Sequence, residues 1–212
     1  MVTSFLVRSA QWGALATACL FSAACQVVEP AMVDSTLAPT PALAATRPAD
    51  VAVLAVEDGT PDAAASRHLM FLRQELMRQL PDRLYSPVTA FTIDSALASK
   101  VAPRDASAKN TESILAPAVL RTYVGHCGED AVLAVRVDRW DESRLLIDKR
   151  LRFELQAALM SNKGEQLWSG TLRGEIKAGG AGAAPRDKDG MARSCATLAV
   201  GELLQRLPQR NL

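Results

Sequence analysis

The chain has 212 residues, 49% of them hydrophobic and 22% charged, which is the composition of a globular protein with a real core and a length that favours one folded domain. Its formal net charge of +1 argues against a nucleic-acid-binding protein, because such proteins usually carry a clear basic excess.

The N-terminal segment has the features of an export signal. Arg8 supplies a positive charge, and residues 10–24 form a mostly apolar stretch that ends in small residues directly before Cys25. A transmembrane helix needs about 20 apolar residues, so the short and interrupted stretch is more typical of a signal peptide over residues 1–24. Small residues followed by cysteine resemble a bacterial lipobox, and this pattern predicts that Cys25 becomes the lipidated N-terminus.

Two other processing routes remain open at this point. Ser22 stands where a lipobox usually has leucine, so an ordinary signal peptidase cutting after Ala24 would leave a soluble periplasmic protein. Cys19 is a second potential lipidation site, although it leaves a very short apolar region. Gln26 follows Cys25, and by resemblance to enterobacterial sorting signals a residue other than aspartate there favours the outer membrane, with the chain on its periplasmic side.

The next segment is rich in Ala, Pro and Thr. Such a composition buries too little apolar surface to order itself, so residues 25–49 are predicted to be a lipidated N-terminus followed by a disordered tether. The globular domain is predicted to cover residues 50–207.

The first half of this domain begins with a strand and a helix. Residues 51–56 form an unbroken apolar run that suits a buried strand. Thr60 and Pro61 then provide an N-cap and a first helical position. His68 falls on the polar side of the helix and is interpreted as a solvated residue. The apolar face recurs at helical spacing: Ala65, Leu69, Leu72, Leu76 and Leu80.

The second half shows the clearest patterns. Residues 131–137 read as an apolar strand, residues 151–159 alternate between apolar and polar side chains, and Gly164 marks a turn before a returning strand. Residues 130–177 are therefore predicted to be a three-stranded antiparallel meander. A last helix starts near Met191, with the packed face Ala192, Ala196, Ala199, Leu203 and Leu207. The summed order predicts an α/β fold: a single α/β sandwich domain with a mixed sheet and flanking helices.

Several of these segments carry a family resemblance. They are Ala23-Ala24-Cys25, residues 51–56 with Glu57-Asp58, residues 118–125 with Asp130-Ala131-Val132-Leu133, Trp140, and the hairpin that ends in Gly164-Glu165-Gln166-Leu167-Trp168. Together they resemble small bacterial outer-membrane lipoproteins of unknown function whose fold is shared with the N-terminal domain of TolB, with CsgG, with LpoB and with PelC.

The resemblance implies an accessory component of an envelope transport, secretion or cell-wall assembly system, with a protein partner in the envelope and homo-oligomers among its relatives. It also implies attachment to the membrane by lipid. The chain lacks the amphipathic membrane-inserting segments of CsgG, so a pore is not expected.

Two cysteines fall inside the predicted domain. In an oxidising periplasm Cys127 and Cys195 are a tentative disulfide pair, and the alternative is two unpaired buried thiols. A cell-wall hydrolase with Cys127 as its nucleophile is the most specific enzymatic alternative. It is disfavoured because the nearby histidine, His126, is directly adjacent to Cys127 in sequence and no histidine lies downstream.

A charged segment, residues 138–152, is either a solvated hairpin tip or a docking surface for a partner, with Trp140, Asp141 and Arg144 as the candidate contacts. The sequence carries no recognisable hydrolase, phosphate-binding or metal motif, so neither a cofactor nor a metal is expected. The leading hypothesis is a non-enzymatic, periplasm-facing lipoprotein; the alternative is a non-lipidated soluble periplasmic binding or regulatory protein.

Overall fold

The computed structural model describes residues 32–101, 112–179 and 187–210. The predicted signal peptide and Cys25 lie outside the described residues.

The described part forms one mixed sheet with helices on both sides. The strands are β1 (Met32–Ser35), β2 (Ala38–Pro39), β3 (Asp50–Val53), β4 (Glu57–Asp58), β5 (Ser86–Pro87), β6 (Ala131–Asp141), β7 (Arg150–Ser161) and β8 (Gln166–Lys177). The α-helices are α1 (Pro41–Thr46), α2 (Leu69–Gln79), α3 (Ala90–Lys100), α4 (Pro117–Arg121), α5 (Leu145–Asp148) and α6 (Lys188–Gln205). Short 3-10 turns cover Pro61–Ala63, Ser66–His68 and Leu80–Arg83.

The sheet order is β1-β8-β7-β6-β3-β5, with β2 pairing on β8 and β4 on β6. β7 runs antiparallel to both β6 and β8, and β1 runs antiparallel to β8, whereas β3 pairs in parallel with both β5 and β6. The predicted mixed α/β sandwich with a three-stranded meander is therefore confirmed.

Successive strand residues point to opposite faces, and each face has its own core. Helices α2 and α6 cover the first face, where Leu133, Leu155 and Trp168 are buried together with the predicted packed face of α6. Helices α3 and α4 cover only part of the second face, around Val132 and Met160. The remainder of the second face carries polar residues of β7 and β8. This matches the alternation of buried apolar and solvent-exposed polar side chains that was predicted for residues 151–159.

The predicted tether is wrong for residues 32–46, because they form β1, β2 and α1 on the edge of the sheet. β1 pairs with β8 from Met32↔Glu175 to Ser35↔Leu172. Two glycines of β8 make room for this close approach: a Cβ at Gly170 would meet the Thr36 carbonyl oxygen at 2.6 Å, and a Cβ at Gly174 would collide with the Met32 carbonyl oxygen. The described fold therefore starts 18 residues before the predicted boundary at Asp50.

The first long helix starts later than predicted. The segment after Thr60 forms two 3-10 turns, and Asp62 inside the first of them has a φ of 59°, which interrupts a regular helix. The α-helix begins at Leu69, although the apolar positions Leu72 and Leu76 are buried as expected.

The tentative disulfide is also wrong: Cys127 and Cys195 are free thiols. Cys195 belongs to the core under α6, whereas Cys127 packs against the core on the opposite face of the sheet. The sheet itself separates the two sulfur atoms. Among the described residues no helix combines the length and the apolar character needed to cross a bilayer.

Candidate functional site: the hairpin tip between β6 and β7

The connection between β6 and β7, residues 142–149, lies within the charged segment that was predicted as a docking surface and is here called the hairpin tip. Trp140 was predicted to contribute to that surface, and this is wrong, because the indole is 4% exposed and packs in the core. The Asp141 carboxylate accepts a hydrogen bond from the Ser143 backbone N–H at 3.0 Å. Arg144 is exposed and forms an ion pair with Asp148 at 2.5 Å.

The hairpin tip is fixed to the domain by the Glu142 carboxylate, which is only 10% exposed. Trp140 Nε1 donates to its Oε1 at 3.0 Å, and His68 Nε2 lies 2.8 Å from the same oxygen. Oε2 is bound by the Arg67 guanidinium and by Lys188 Nζ at 3.1 Å. One carboxylate therefore joins the 3-10 turn before α2, the end of β6 and the start of α6.

This environment decides the charge of Glu142. Burial alone raises the pKa of the carboxyl, but the hydrogen bonds from Lys188, Trp140 and His68, together with the Arg67 charge, outweigh burial and hold its pKa below the usual range. The ionised carboxylate acts on its surroundings as well: burial first, and then the Glu142 charge, raise the pKa of the Cys195 thiol to about 12. Cys195 is therefore a protonated, inert core residue.

His68 was predicted to be solvated, and this is wrong. The side chain is buried, and its ring lies 5.5 Å from the Trp140 ring, centroid to centroid, at a tilt of 39°. His68 Nε2 lies 2.8 Å from Glu142 Oε1 and 3.0 Å from Arg67 Nε, so the ring is held between a carboxylate and a guanidinium. The histidine is thus a structural part of the Glu142 network.

The hairpin tip also exposes two large aliphatic side chains. Leu145 is fully buried and anchors α5, whereas Leu146 is 64% exposed and Ile147 is 82% exposed. Lys149, in the left-handed region with a φ of 59°, ends this short helix. The run Leu-Leu-Ile inside an otherwise charged connection was the signal in the sequence that could have identified this feature.

The start of the described fold lies at the same end of the sheet. The pairs Met32↔Glu175, Glu175↔Arg152 and Arg152↔Asp141 form one row across β1, β8, β7 and β6, directly beside the hairpin tip. Met32 itself is 74% exposed. On the uncovered sheet face next to this row lies a shallow groove of about 710 Å³, whose basic lining residues are Arg139, Arg152 and Arg173.

At the opposite end of the sheet, a second buried glutamate organises the loop that contains Cys127. Glu129 accepts hydrogen bonds from the backbone N–H groups of Gly125, His126 and Cys127. The Cys127 thiol donates to Glu129 Oε2 at 3.1 Å, and burial together with this hydrogen bond and the carboxylate charge raises the pKa of Cys127 to about 11. His126 Nε2 lies 2.8 Å from the Thr122 carbonyl oxygen, so this ring nitrogen is engaged by the backbone.

In the described part of the chain, no three His, Cys, Asp or Glu side chains come together in a way that could hold a metal ion. The carboxylates of Glu142 and Glu129 are instead occupied by protein donors.

Comparison with known proteins gives only structural similarity. No family model matches the chain. No curated protein matches it either. Among solved structures, a PelC dodecamer from Paraburkholderia phytofirmans is 16% identical, with 85% of this chain and 100% of that chain covered and a TM-score of 0.48. Lipoprotein GNA1162 from Neisseria meningitidis is 18% identical, with 74% and 99% covered and a TM-score of 0.45. The LpoB C-terminal domain from Salmonella enterica is 18% identical, with 61% and 82% covered and a TM-score of 0.39.

Proposed function

We propose that this chain is a lipid-anchored, non-enzymatic accessory protein of the bacterial envelope. It is attached through Cys25 to the periplasmic side of the outer membrane and presents its α/β domain to a protein partner there. Its contribution to transport, secretion or cell-wall assembly would be to keep that domain at the membrane surface.

The observation that carries this proposal is the short distance in sequence between the lipobox-like cysteine and the fold. Six residues separate Cys25 from Met32, where β1 begins. Even fully extended, the seven Cα steps between these two residues span at most about 25 Å. An acylated Cys25 would hold the domain within that distance of the lipid, which raises its effective concentration toward any partner in the same membrane.

The chemistry of the candidate nucleophile and base supports a non-enzymatic role. A thiol with a pKa of about 11 is almost entirely protonated at neutral pH, so Cys127 is a poor nucleophile. The neighbouring histidine, His126, has its Nε2 atom 2.8 Å from the Thr122 carbonyl oxygen. The alternative of a cell-wall hydrolase would need Cys127 to leave Glu129 and His126 to leave this contact.

Mass spectrometry of the mature protein, expressed with its own leader, tests the anchor. We expect a diacylglyceryl modification on Cys25 and its loss in Cys25→Ser. Cys19→Ser is the matched control, because it removes the other potential lipidation site and should leave the modification in place. An unmodified N-terminus beginning at Cys25 would instead support the alternative of a soluble periplasmic module.

Membrane fractionation tests the location. We expect the wild-type chain in the outer-membrane fraction and the Gln26→Asp variant in the inner-membrane fraction, with Gln166→Asp as a control far from the sorting position. Affinity capture of the tagged full chain from solubilised envelope, compared with Cys25→Ser, tests the accessory role. A partner whose recovery is equal for the two proteins would contradict a role that depends on the anchor.

A further inference from the structure

We propose that the hairpin tip rests on the lipid bilayer itself, with Leu146 and Ile147 in contact with the boundary between headgroups and acyl chains of an anionic phospholipid surface. This inference rests on the proposed lipidation of Cys25, which brings the domain to the membrane. It adds a second, non-covalent contact that would fix the orientation of the domain.

The first argument is the position of Met32, the residue at which the described fold begins. Met32 lies in the row of paired residues that also contains Asp141, the last residue of β6 before the hairpin tip. A lipid-linked Cys25 can be no more than about 25 Å from Met32 along the chain. The end of the sheet that carries the hairpin tip is therefore the end that the anchor would draw toward the bilayer.

The second argument is the surface that this end presents. Leu146 and Ile147 are adjacent, 64% and 82% exposed, and attached to a helix whose first residue, Leu145, is fully buried. Leaving two large aliphatic side chains in water is unfavourable, and their transfer into the interface recovers that free energy. Arg144, which is paired with Asp148, and Lys149 are exposed on either side of them, and the Lys149 charge suits an anionic surface.

The third argument is rigidity. Glu142, the first residue of the hairpin tip, binds His68, Arg67 and Lys188, three side chains from two other elements of the domain. The aliphatic pair is thus held in place before any lipid is met, and docking does not require the segment to be ordered first.

The exposed Phe91 provides a matched control. Its helix α3 is connected through the Arg73–Asp94 ion pair to the Val53 carbonyl oxygen. Val53 pairs with Leu133, which is eight residues along β6 from Asp141. At the rise of a strand Leu133 is about 26 Å from Asp141. Phe91, on the helix connected to this distant part of the sheet, is 81% exposed, which is close to the 82% of Ile147.

The test places an environment-sensitive, thiol-reactive dye on full-length protein that carries Ile147→Cys or Phe91→Cys. The proteins are reconstituted from outside onto vesicles of phosphatidylglycerol and phosphatidylethanolamine, with and without nitroxide-labelled lipid. Wild-type protein treated in the same way measures background from Cys127, Cys195 and, where it is not acylated, Cys25. The contribution of Cys127 and Cys195 should be small because their thiols have raised pKa values. We expect a blue shift and quenching by the nitroxide lipid at position 147, and neither at position 91.

Mass spectrometry on the same samples separates this inference from the proposed function. Acylated Cys25 with equal, water-like emission at both positions would overturn the membrane contact and leave the lipoprotein proposal intact. An unmodified Cys25 with selective quenching at position 147 would reject the anchor and support the contact. Equal emission without acylation would overturn both.

A double variant, Leu146→Asp with Ile147→Asp, tests the energetic contribution on the same vesicles. Both side chains are exposed, so the thermal unfolding midpoint should stay at the wild-type value. Removing two aliphatic contacts should weaken partitioning of the domain by about tenfold or more. Phe91→Asp should leave partitioning unchanged, and an equal loss in Phe91→Asp would contradict a contact at the hairpin tip.

Discussion

The two ends of the sheet each contain a buried glutamate, and the two carboxylates bind different kinds of donor. Glu142, beside the hairpin tip, is bound by side chains from three separate parts of the chain. Glu129, at the opposite end, is bound by backbone N–H groups and a thiol that all lie within four residues of it.

This difference predicts different consequences for stability. In both carboxyls burial raises the pKa and hydrogen bonding more than offsets it, so both are held ionised with a pKa below the usual range. Glu142 holds distant elements together, so its loss should lower the stability of the whole domain. Glu129 stabilises one local loop, so its loss should mainly increase local opening of that loop.

The largest effect is expected from Glu142→Gln, which leaves the Arg67 and Lys188 cations facing a neutral amide. Because the carboxylate is 10% exposed while its two cationic partners are about half exposed, we expect a loss of about 2–3 kcal/mol in the free energy of unfolding. Urea denaturation measures it. Glu165→Gln, at an exposed turn position, is the control and should change stability by less than about 0.5 kcal/mol. Equal values for the two variants would contradict the role assigned to Glu142.

The next effect concerns the edge strand at the same end. In Gly174→Val the new side chain would collide with the Met32 carbonyl oxygen, so β1 must leave β8, and we expect a loss of about 2 kcal/mol. Hydrogen exchange of residues 32–35 should become fast while that of α6 stays slow. Ser169→Val, also on β8, is the control. Unchanged protection of residues 32–35 in Gly174→Val would show that β1 does not need the glycine.

How much of this could be read from the sequence depends on the range over which each signal acts. The β6–β8 meander and the packed face of α6 were predicted because period-two and helical patterns are local and run over many residues. β1 was missed because an Ala/Pro/Thr-rich segment shows no periodicity, and because its partner strand with Gly170 and Gly174 lies far along the chain.

The site was harder to predict for the same reason. His68 and Glu142 are 74 positions apart, so no local pattern indicates that the imidazole is buried against the carboxylate. Trp140 was predicted to be a docking contact, and only the structure shows that the indole is buried beside the distant His68. By contrast, Leu146 and Ile147 could have been recognised, because an aliphatic run in a charged connection breaks the expected polar pattern.

A smaller effect is expected at the opposite end of the sheet. Glu129→Gln removes the negative charge and one acceptor from a single loop, and we expect a loss of about 1 kcal/mol. The sharper measurement is the alkylation rate of Cys127. Burial first, and then the hydrogen bond to Glu129 and its charge, raise the pKa of this thiol to about 11, so removal of the charge should lower the pKa and make alkylation at pH 8 faster.

Cys195 serves as the internal control for that experiment. It lies on the other face of the sheet and does not contact Glu129, so its alkylation should stay slow in Glu129→Gln. Faster alkylation of both thiols would indicate global opening of the domain instead of a local change, and an unchanged rate at Cys127 would contradict the assigned cause of its raised pKa.

The smallest effect is the change with pH of the stability difference between wild type and Glu142→Gln. The pKa of Glu142 is lowered in the folded state, so the carboxylate contributes its stability above its unfolded pKa, near 4.5, and loses it as pH falls through the lower folded value. The glutamine variant has no such proton to bind. Urea denaturation from pH 7 to pH 3 should therefore show the difference between the two free energies of unfolding becoming smaller below about pH 4.5. Glu165→Gln should instead follow the wild type in parallel over the whole range. A constant gap between wild type and Glu142→Gln would mean that the lost stability comes from altered packing around the amide, and the hairpin tip would then be held by shape and not by the ionised carboxylate.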